Sequence, residues 1–243
     1  MSYLLADQAA ERERLRLQSR VWEPAGERLL ARLGDGRGLR ALEVGCGAMG
    51  WLRILSRWVG PEGAVVATDV DERMLGAAAE LVTEEVLPNV ALTRDDYFGS
   101  TLPAGSFDLV HLRFQVAPLG RGPEQVAIAG RLAKPGGWVV LEDPDTGSWR
   151  ENPLAPSAAH LRGAGIEPDI AAECLALAPG HPYLQLPVQF AVSLQPRLLA
   201  LIEEAELDRL IEAARAELAD PRRWGTTFTL VQAWGRTPGP EAG

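Results

Sequence analysis

Residues 38–143 alternate between two spacings of hydrophobic positions. Short apolar runs that end at glycine or proline predict buried strands, and apolar residues repeated every three or four positions predict helices. The predicted strands are 41–44, 64–68, 90–93, 107–111 and 138–141, and the predicted helices are 51–59, 72–86 and 123–133. Strands and helices that alternate in this way require right-handed crossovers, so the pattern predicts a parallel sheet with helices on both faces.

The remaining segments are less regular. Helical spacing covers 6–33, and Pro24 predicts two helices that meet there, because proline lacks an amide hydrogen. Beyond residue 143 the pattern predicts a loop over 143–156, one or two helices over 157–177, a strand over 188–194, a helix over 207–218 and a last strand over 226–234. We expect one domain, with a helical cap (1–37), a cofactor-binding half (38–143) and a substrate-side part (144–243).

Composition excludes several classes of protein. The 243 residues carry 24 Lys plus Arg against 33 Asp plus Glu, with a net charge of −9 and no basic run, which argues against nucleic acid as a partner. No apolar run approaches the roughly 18 residues of a membrane span, and the first twenty residues do not resemble a signal peptide. Two cysteines, Cys46 and Cys174, form neither a disulfide framework nor a zinc spacing. We therefore expect a cytoplasmic protein without membrane contact.

The candidate chemistry lies at Gly45-Cys-Gly-Ala-Met-Gly50, between the first predicted strand and its helix. Glycines allow a sharp turn and the close approach of a ligand, and the helix that follows offers free amide groups. The next strand ends at Asp69, whose carboxylate can accept hydrogen bonds from the two hydroxyls of a ribose. Ligands of parallel sheets bind at this edge, so we expect a nucleoside-containing cofactor.

A dinucleotide is one candidate for that cofactor. A hydride-transfer enzyme of the short-chain kind needs a Tyr-x-x-x-Lys pair, in which the lysine lowers the pKa of the phenol. Lys134 is the only lysine in the chain, and Gly130 stands four positions before it. The sequence therefore excludes that pair.

A second candidate is indicated by resemblance. Leu42-Glu-Val-Gly-Cys-Gly47 resembles the first motif of class I S-adenosylmethionine-dependent methyltransferases. Matches follow in order at 65–75, 94–97, 105–110 and 132–138. The chain looks most similar to the small-molecule branch that includes ubiquinone/menaquinone-type and natural-product enzymes. The resemblance implies an α/β, Rossmann-like, doubly wound and mostly parallel sheet of seven strands, with helices on both faces and an N-terminal helical lid.

The same resemblance implies a cofactor site for S-adenosylmethionine, which leaves as S-adenosylhomocysteine. Asp69 would bind the ribose, and Glu43 would lie near the methionyl amino group. The other implied cofactor residues are Gly45, Cys46 and Gly47 at the methionyl end, Val70 and Met74 on the adenine, Asp96 at the adenine amino group with Tyr97 beside it, and His111 and Arg113 near the sulfonium.

Several of these residues also have a purely structural interpretation. Glu43 can satisfy loop amides, and Asp69 can cap the helix that follows it. Cys46 is better explained as a small packing residue than as a reactive thiol, because no basic residue adjoins it. A histidine at the end of a strand, such as His111, often bonds only to neighbouring backbone.

The acceptor side is less defined. His111, His160 and His181 are the candidate bases, because their ordinary pKa lies near neutrality. Tyr3, Gln18 and Trp149 are candidate substrate contacts, although Tyr3 and Gln18 fit a plain packing helix equally well. The family's His-Leu-Pro-Asp run is replaced by 116–121, so the acceptor does not transfer from the family. No spacing of His, Asp or Glu resembles a metal site, and we expect none.

The sequence therefore predicts methyl transfer to the oxygen, nitrogen or carbon of a small-molecule acceptor. Two rival functions stay open: a cyclase-like enzyme that holds the cofactor without methylating, and an inactive module that binds a metabolite. Fold alone does not choose among them. The N-terminal helix is able to pack on a second subunit, which makes a homodimer the oligomeric state to test.

Overall fold

A computed structural model describes residues 9–145 and 155–239 of the chain. The strands are β1 Arg40–Val44, β2 Ala64–Asp69, β3 Val90–Arg94, β4 Phe107–Arg113, β5 Ala133–Pro144, β6 Asp169–Glu173, β7 Ala176–Leu177, β8 Gly225–Thr226 and β9 Leu230–Arg236. The helices are α1 Ala9–Leu33, α2 Leu52–Val59, α3 Glu72–Glu84, α4 Val116–Leu119, α5 Gly122–Leu132, α6 Ala155–Gly163, α7 Leu186–Ser193, α8 Gln195–Leu198 and α9 Glu204–Leu218. Short 3-10 turns cover Tyr97–Gly99 and Pro182–Gln185. No helix in these two ranges is long and apolar enough to span a membrane.

Seven strands form one sheet in the order β3-β2-β1-β4-β5-β9-β6. The strands from β3 through β5 pair in parallel, and β9 pairs antiparallel with both β5 and β6. The strand order reverses between β1 and β4, which is where open α/β sheets bind their ligands. The predicted Rossmann-like, mostly parallel sheet of seven strands is confirmed.

Two apolar layers cover this sheet. On one face, the C-terminal half of α1 and helix α2 pack on Ala41, Val65, Leu109, Val140 and Trp234. On the other face, α5 and α6 pack on residues one position further along the same strands, among them Leu42, Val110 and Leu141. The alternation of side chains along each strand separates the two layers. Helices on both faces are thus confirmed.

The chain divides into two compact units. Of the described residues, the sheet unit comprises 23–145, 155–173 and 228–239, and the helical unit comprises 9–22 and 174–227. In the helical unit, α7 and α9 pack through Val188, Leu207 and Ile211, and β7 pairs with β8 in a small antiparallel sheet. The predicted N-terminal helix is present, and its role as a lid stays a prediction, as does the division into cap, cofactor-binding half and substrate-side part.

The prediction of two helices meeting at Pro24 is wrong, because α1 continues through that residue. An interior proline costs about 3 kcal/mol in a helix. Trp22 and Ala25 on either side are buried, and burying one large side chain contributes about 1.5–3 kcal/mol. Packing of the flanking residues therefore offsets the missing backbone hydrogen bond.

Two predictions beyond residue 150 are also wrong. The strand predicted over 188–194 is helix α7, which has a proline in its first turn. A short apolar run does not distinguish a strand from a buried helix. The helices predicted over 157–177 end at Gly163, and Asp169–Glu173 instead forms β6 through pairing with β9, a long-range contact that local spacing does not encode.

Two strand boundaries differ from the prediction as well. The last strand, predicted over 226–234, begins at Leu230 and runs to Arg236. Strand β5 begins at Ala133 rather than at residue 138, with an irregularity in its pairing with β4 between Phe107 and Leu109. The residues between the predicted helix 123–133 and the predicted strand 138–141 are thus part of β5.

Candidate functional site

The glycine turn, residues Gly45–Gly50, joins β1 to α2 at the carboxyl edge of the sheet. Gly45, Gly47 and Gly50 have φ of 60°, 55° and 47°, a region that side-chain-bearing residues rarely adopt. A Cβ at Gly45 would overlap the side-chain amide of Gln115, and one at Gly50 would lie against Glu43. A Cβ at Gly47 would meet no atom within 4 Å. The turn is therefore tightly packed at its two ends and open in its middle.

Asp69 ends β2 beside the open middle of this turn. Its Oδ2 accepts the Gly47 amide at 2.9 Å, and its Oδ1 accepts the Asp71 amide at 2.9 Å. Burial raises the pKa of the half-buried Asp69 carboxyl, while the backbone N–H donors oppose that rise. Helix α3 is capped by Asp71, which accepts the Arg73 amide, so Asp69 does not serve as the cap. Each Asp69 oxygen keeps a lone pair for a ligand.

The predicted adenine contacts fall into exposed and buried residues. The side chain of Val70 is 42% exposed, whereas Met74 is buried. Asp96 is exposed, and its Oδ1 accepts the Phe98 amide at 3.2 Å. Tyr97 is buried, and its hydroxyl donates to the Gln125 carbonyl at 2.5 Å. Burial also raises the Tyr97 pKa. Val70 and Asp96 are thus available to a ligand at this edge, and the cofactor role of all four residues stays a prediction.

A row of buried polar groups lies beneath the glycine turn on the α1–α2 face of the sheet. Glu43 on β1 is directly opposite His111 on β4, and Glu43 Oε2 lies 2.5 Å from His111 Nδ1. His111 Nε2 lies 3.3 Å from Glu142 Oε2. Gln232 Nε2 donates to Glu142 Oε1 at 2.6 Å. Glu43 is 1% exposed, and His111 and Glu142 are 0% exposed. This histidine therefore has carboxylate partners at both ring nitrogens.

Trp51 connects the buried row to the glycine turn. Its amide donates to Glu43 Oε1 at 3.0 Å, and its ring stacks on the His111 ring at 3.7 Å between centroids and 15° between planes. Both oxygens of Glu43 are therefore engaged inside the protein. These contacts fit the interpretation of Glu43 as a residue that satisfies loop amides. Its predicted proximity to the methionyl amino group stays a prediction.

The last residue of β4 and the segment that follows it contact both ends of the glycine turn. Arg113 donates to the Gly50 carbonyl at 3.2 Å, and Gln115 donates to the Val44 carbonyl, directly before Gly45. Phe114 between them has a φ of 57° and donates its amide to the Glu142 carbonyl at 2.7 Å. Left-handed backbone in a bulky residue is unusual and is found most often at functional sites. Arg113 was predicted from the sequence, whereas Gln115 was not, because no motif marks it.

Cys46, also in the turn, has the features of a packing residue. Burial raises the pKa of its thiol well above the ordinary value, and the nearby Asp69 and Glu43 raise it further. A thiol in that state is a poor nucleophile at neutral pH. The Cys46 amide donates to the Thr68 carbonyl at 2.8 Å, which joins the turn to β2.

The predicted acceptor-side residues belong to both units of the chain. His160 lies on α6 of the sheet unit, where its ring contacts Gly122. His181 lies in the helical unit and accepts the Tyr183 amide through Nδ1 at 3.2 Å. Gln18 on α1 accepts a hydrogen bond from Arg14 at 2.6 Å. Tyr3 and Trp149 lie outside the described residues. The catalytic and substrate roles of these residues stay predictions.

Within 9–145 and 155–239, no three His, Cys, Asp or Glu side chains are grouped so that they could hold a metal ion. The expectation that the protein uses no metal is not tested by this observation.

The glycine turn and Asp69 fit a nucleoside cofactor. The middle of the turn is open, its amide at Gly47 is tied to the carboxylate at the end of β2, and both lie where the strand order reverses. Asp69 can accept hydrogen bonds from ribose hydroxyls, and the exposed Val70 directly after it offers an apolar surface.

Comparison with known proteins adds independent information. Residues 41–137 match the family model described as a methyltransferase domain. The chain is 35% identical over 162 residues to nocamycin O-methyltransferase of Saccharothrix syringae. The aligned region covers 66% of this chain and 56% of that protein. It is 31% identical over 118 residues to demethylmenaquinone methyltransferase of Listeria monocytogenes serotype 4a, covering 47% of this chain and 50% of the relative. The chain thus spans little more than half the length of these relatives.

A solved structure is similar as well. The crystal structure of a SAM-dependent methyltransferase from Aquifex aeolicus superimposes with a TM-score of 0.53 and 26% identity. The match covers 63% of this chain and 82% of that one. The matched family segment includes β1, the glycine turn, Asp69 and β4.

Proposed function

Because this chain carries a methyltransferase domain of the class I, S-adenosylmethionine-dependent kind over residues 41–137, we propose that the whole protein methylates a small organic acceptor. The observation that carries the proposal is the link between Asp69 Oδ2 and the Gly47 amide, 2.9 Å long, at the reversal of strand order. It joins a candidate ribose-binding carboxylate to a turn with an open middle.

The residues of the site would act mainly by binding and orientation. Asp69 would hold the ribose hydroxyls, Val70 would pack on the adenine, and the amides of the glycine turn would face the methionyl end. Bound S-adenosylmethionine supplies a sulfonium methyl group that an acceptor nucleophile takes by in-line displacement. Alignment of this kind contributes about 7–11 kcal/mol in favourable cases.

The acceptor class is part of the proposal. The relatives named above are nocamycin O-methyltransferase and demethylmenaquinone methyltransferase, and this similarity supports a small, partly apolar acceptor. We include transfer to oxygen, nitrogen or carbon. An acceptor that loses a proton needs a base, for which the sequence offers His111, His160 and His181. Because His111 is buried with a carboxylate at each ring nitrogen, we propose His160 or His181 for that role.

The wider setting is proposed on sequence grounds. With a net charge of −9, the protein is proposed to act without nucleic acid and in the cytoplasm. A homodimer is the proposed oligomeric state, and one methyltransferase domain is the proposed organisation of residues 1–243.

Thermal unfolding tests the proposal. A ligand at 100 times its Kd stabilises a protein by about 2.7 kcal/mol, which at this size raises the Tm by roughly 5–11 °C. We expect that rise with S-adenosylmethionine and with S-adenosylhomocysteine, and we expect Asp69→Ala to abolish it. Asp71→Ala is the matched control, because Asp71 caps α3 through the Arg73 amide; it should lower the Tm of the ligand-free protein and keep the shift.

Other outcomes would contradict the proposal. A rise with NADH alone would assign the site to a dinucleotide. A rise with both sulfur nucleosides, followed by an acceptor product that gains no methyl group, would favour the cyclase-like alternative. Binding without turnover of any acceptor would favour the metabolite-binding module.

A further inference from the structure

The buried row Glu43–His111–Glu142 holds more charge than packing of the sheet requires. Ala41, Leu109 and Val140, which belong to the same face, are fully buried and apolar. At the carboxyl edge the same strands instead place two carboxylates and an imidazole, at most 1% exposed. Buried ionisable groups are costly unless they are paired, so this row calls for an explanation.

The geometry favours the protonated form of His111. Each ring nitrogen faces a carboxylate oxygen, at 2.5 Å for Glu43 and 3.3 Å for Glu142. An ionised carboxylate only accepts hydrogen bonds, and an imidazole donates from both nitrogens only when it is protonated. Burial lowers the pKa of His111, but Glu43 and Glu142 together raise it above its ordinary value. Both contacts therefore favour the imidazolium form of His111, which neutralises one of its two neighbours.

The same imidazolium is tied to the glycine turn through two contacts of Trp51, the residue that follows Gly50. The Trp51 amide donates to the Glu43 oxygen that His111 does not bind, and the indole stacks on the imidazole ring. Arg113, two residues beyond His111 on β4, donates to the Gly50 carbonyl. A change at His111 is thus transmitted to the C-terminal end of the turn.

We propose that His111 is a positioning residue, which fixes the Glu43 carboxylate against the Trp51 amide and thereby sets the shape of the glycine turn for S-adenosylmethionine. The inference rests on the proposed function, since it assigns a role in that same site. Glu43 acts here as a support of the turn, and His111 acts through Glu43 and Trp51 without touching the ligand.

Other charged groups near the row must be considered in a pH experiment. Arg113 lies on the same strand, and Glu23 on α1 lies close enough to Arg113 and Arg53 for both to lower its pKa, although burial raises that pKa more strongly. Arg53 Nε lies 3.4 Å from Glu23 Oε1. From β9 the row receives Gln232, which is neutral. Glu43 and Glu142 are the carboxylates in direct contact with the imidazole.

The test is the Kd of S-adenosylhomocysteine, measured by calorimetry from about pH 6 to about pH 9, across the range that a histidine with a raised pKa titrates. In the wild-type chain the affinity should fall as the pH rises through the pKa of His111, because the neutral ring loses one of its two donors. His111→Gln should bind about tenfold more weakly at the low end of the range, as expected when one charge-assisted hydrogen bond is lost.

The variant also isolates the pH effect. In His111→Gln, the affinity still depends on pH through every other titrating group, including the ligand's amino group. The difference between the two pH profiles of affinity is therefore due to His111. Glu142→Gln keeps the imidazole and removes one of the two carboxylates that raise its pKa. At low pH, Glu142→Gln should bind S-adenosylhomocysteine as tightly as the wild-type chain. As the pH rises, its affinity should fall earlier, at a lower pH than in the wild-type chain.

Each outcome decides the matter. Equal profiles for the wild-type chain and His111→Gln, or an unshifted profile for Glu142→Gln, would overturn this inference alone. No binding by the wild-type chain would overturn the proposed function and the inference with it. If His111→Gln does not fold, the shift between the wild-type chain and Glu142→Gln still supports or overturns the inference.

Discussion

The carboxyl edge of the sheet has two halves with opposite treatments of charge. In the half formed by β1, β4, β5 and β9, the charged groups are buried and bind one another, as Glu43 and His111 do at 2.5 Å. In the half formed by β2 and β3, Asp69 is half-buried and Asp96 is exposed, and both accept hydrogen bonds from backbone amides. The glycine turn lies where these two halves meet.

This difference separates residues that support the glycine turn from residues that recognise the ligand. A buried carboxylate whose two oxygens are taken, such as Glu43, has little capacity left for a ligand, and its removal leaves its buried hydrogen-bond partners without that acceptor. An exposed or half-buried carboxylate that accepts one amide at an oxygen keeps lone pairs for ribose or adenine groups. Substitutions in the first half should therefore act mainly on folding and reach affinity only through the shape of the glycine turn, whereas those in the second half should act on affinity directly.

The largest expected effect is on the free energy of unfolding. Glu43→Ala leaves His111 Nδ1 and the Trp51 amide without their shared acceptor, and each buried group left unsatisfied costs about 1–3 kcal/mol. Asp69→Ala removes hydrogen bonds to two amides at a half-buried position, which should cost about 1 kcal/mol. Urea denaturation of the two variants measures both values. Equal losses would contradict the division into support and recognition.

Two glycines of the turn provide a finer test of the same division. Gly47 and Gly50 both have left-handed φ, so alanine strains the backbone at either position by about 1–2 kcal/mol. A Cβ at Gly50 also lies against Glu43 Oε1 and 3.0 Å from the Cys46 carbonyl oxygen, whereas a Cβ at Gly47 meets nothing within 4 Å. Gly50→Ala should therefore be about 1–3 kcal/mol less stable than Gly47→Ala in the same urea experiment.

If Gly47→Ala were instead the less stable variant, the middle of the turn would be more crowded than its C-terminal end, against the packing described here. Ligand affinity gives a second measurement on the same proteins. Gly47→Ala puts a methyl group into the open middle of the turn and should weaken S-adenosylhomocysteine binding while most of the stability is kept.

Sequence patterns predicted the central sheet because its information is local. Each parallel strand is a short apolar run with a turn at its end, and the glycine turn and Asp69 follow directly after such runs. Helix α7 was not predicted because a short apolar segment has no period that distinguishes a helix from a strand. Strand β6 was not predicted because it forms through pairing with β9, about sixty residues further along.

The buried half of the site could be predicted only in part. His111 was singled out by its place at the end of β4, but its partners depend on register across three strands, which one sequence does not specify. Glu142 could have been recognised as a candidate site residue, since it is a charged residue that directly follows the apolar run of β5. Gln115 had none, because its position over Gly45 arises from the left-handed backbone at Phe114.

The smallest expected effect concerns the two adjacent acids after β3. Asp96 is exposed and accepts the Phe98 amide, whereas Asp95 is half-buried and accepts the Thr101 amide at 3.3 Å. If Asp96 binds the adenine amino group, Asp96→Ala should weaken S-adenosylhomocysteine binding by no more than about tenfold, because a hydrogen bond at an exposed position competes with water. Asp95→Ala is the matched control and should leave the Kd unchanged. Calorimetry on both variants decides between them, and a larger loss for Asp95→Ala would move the adenine contact to the neighbouring residue.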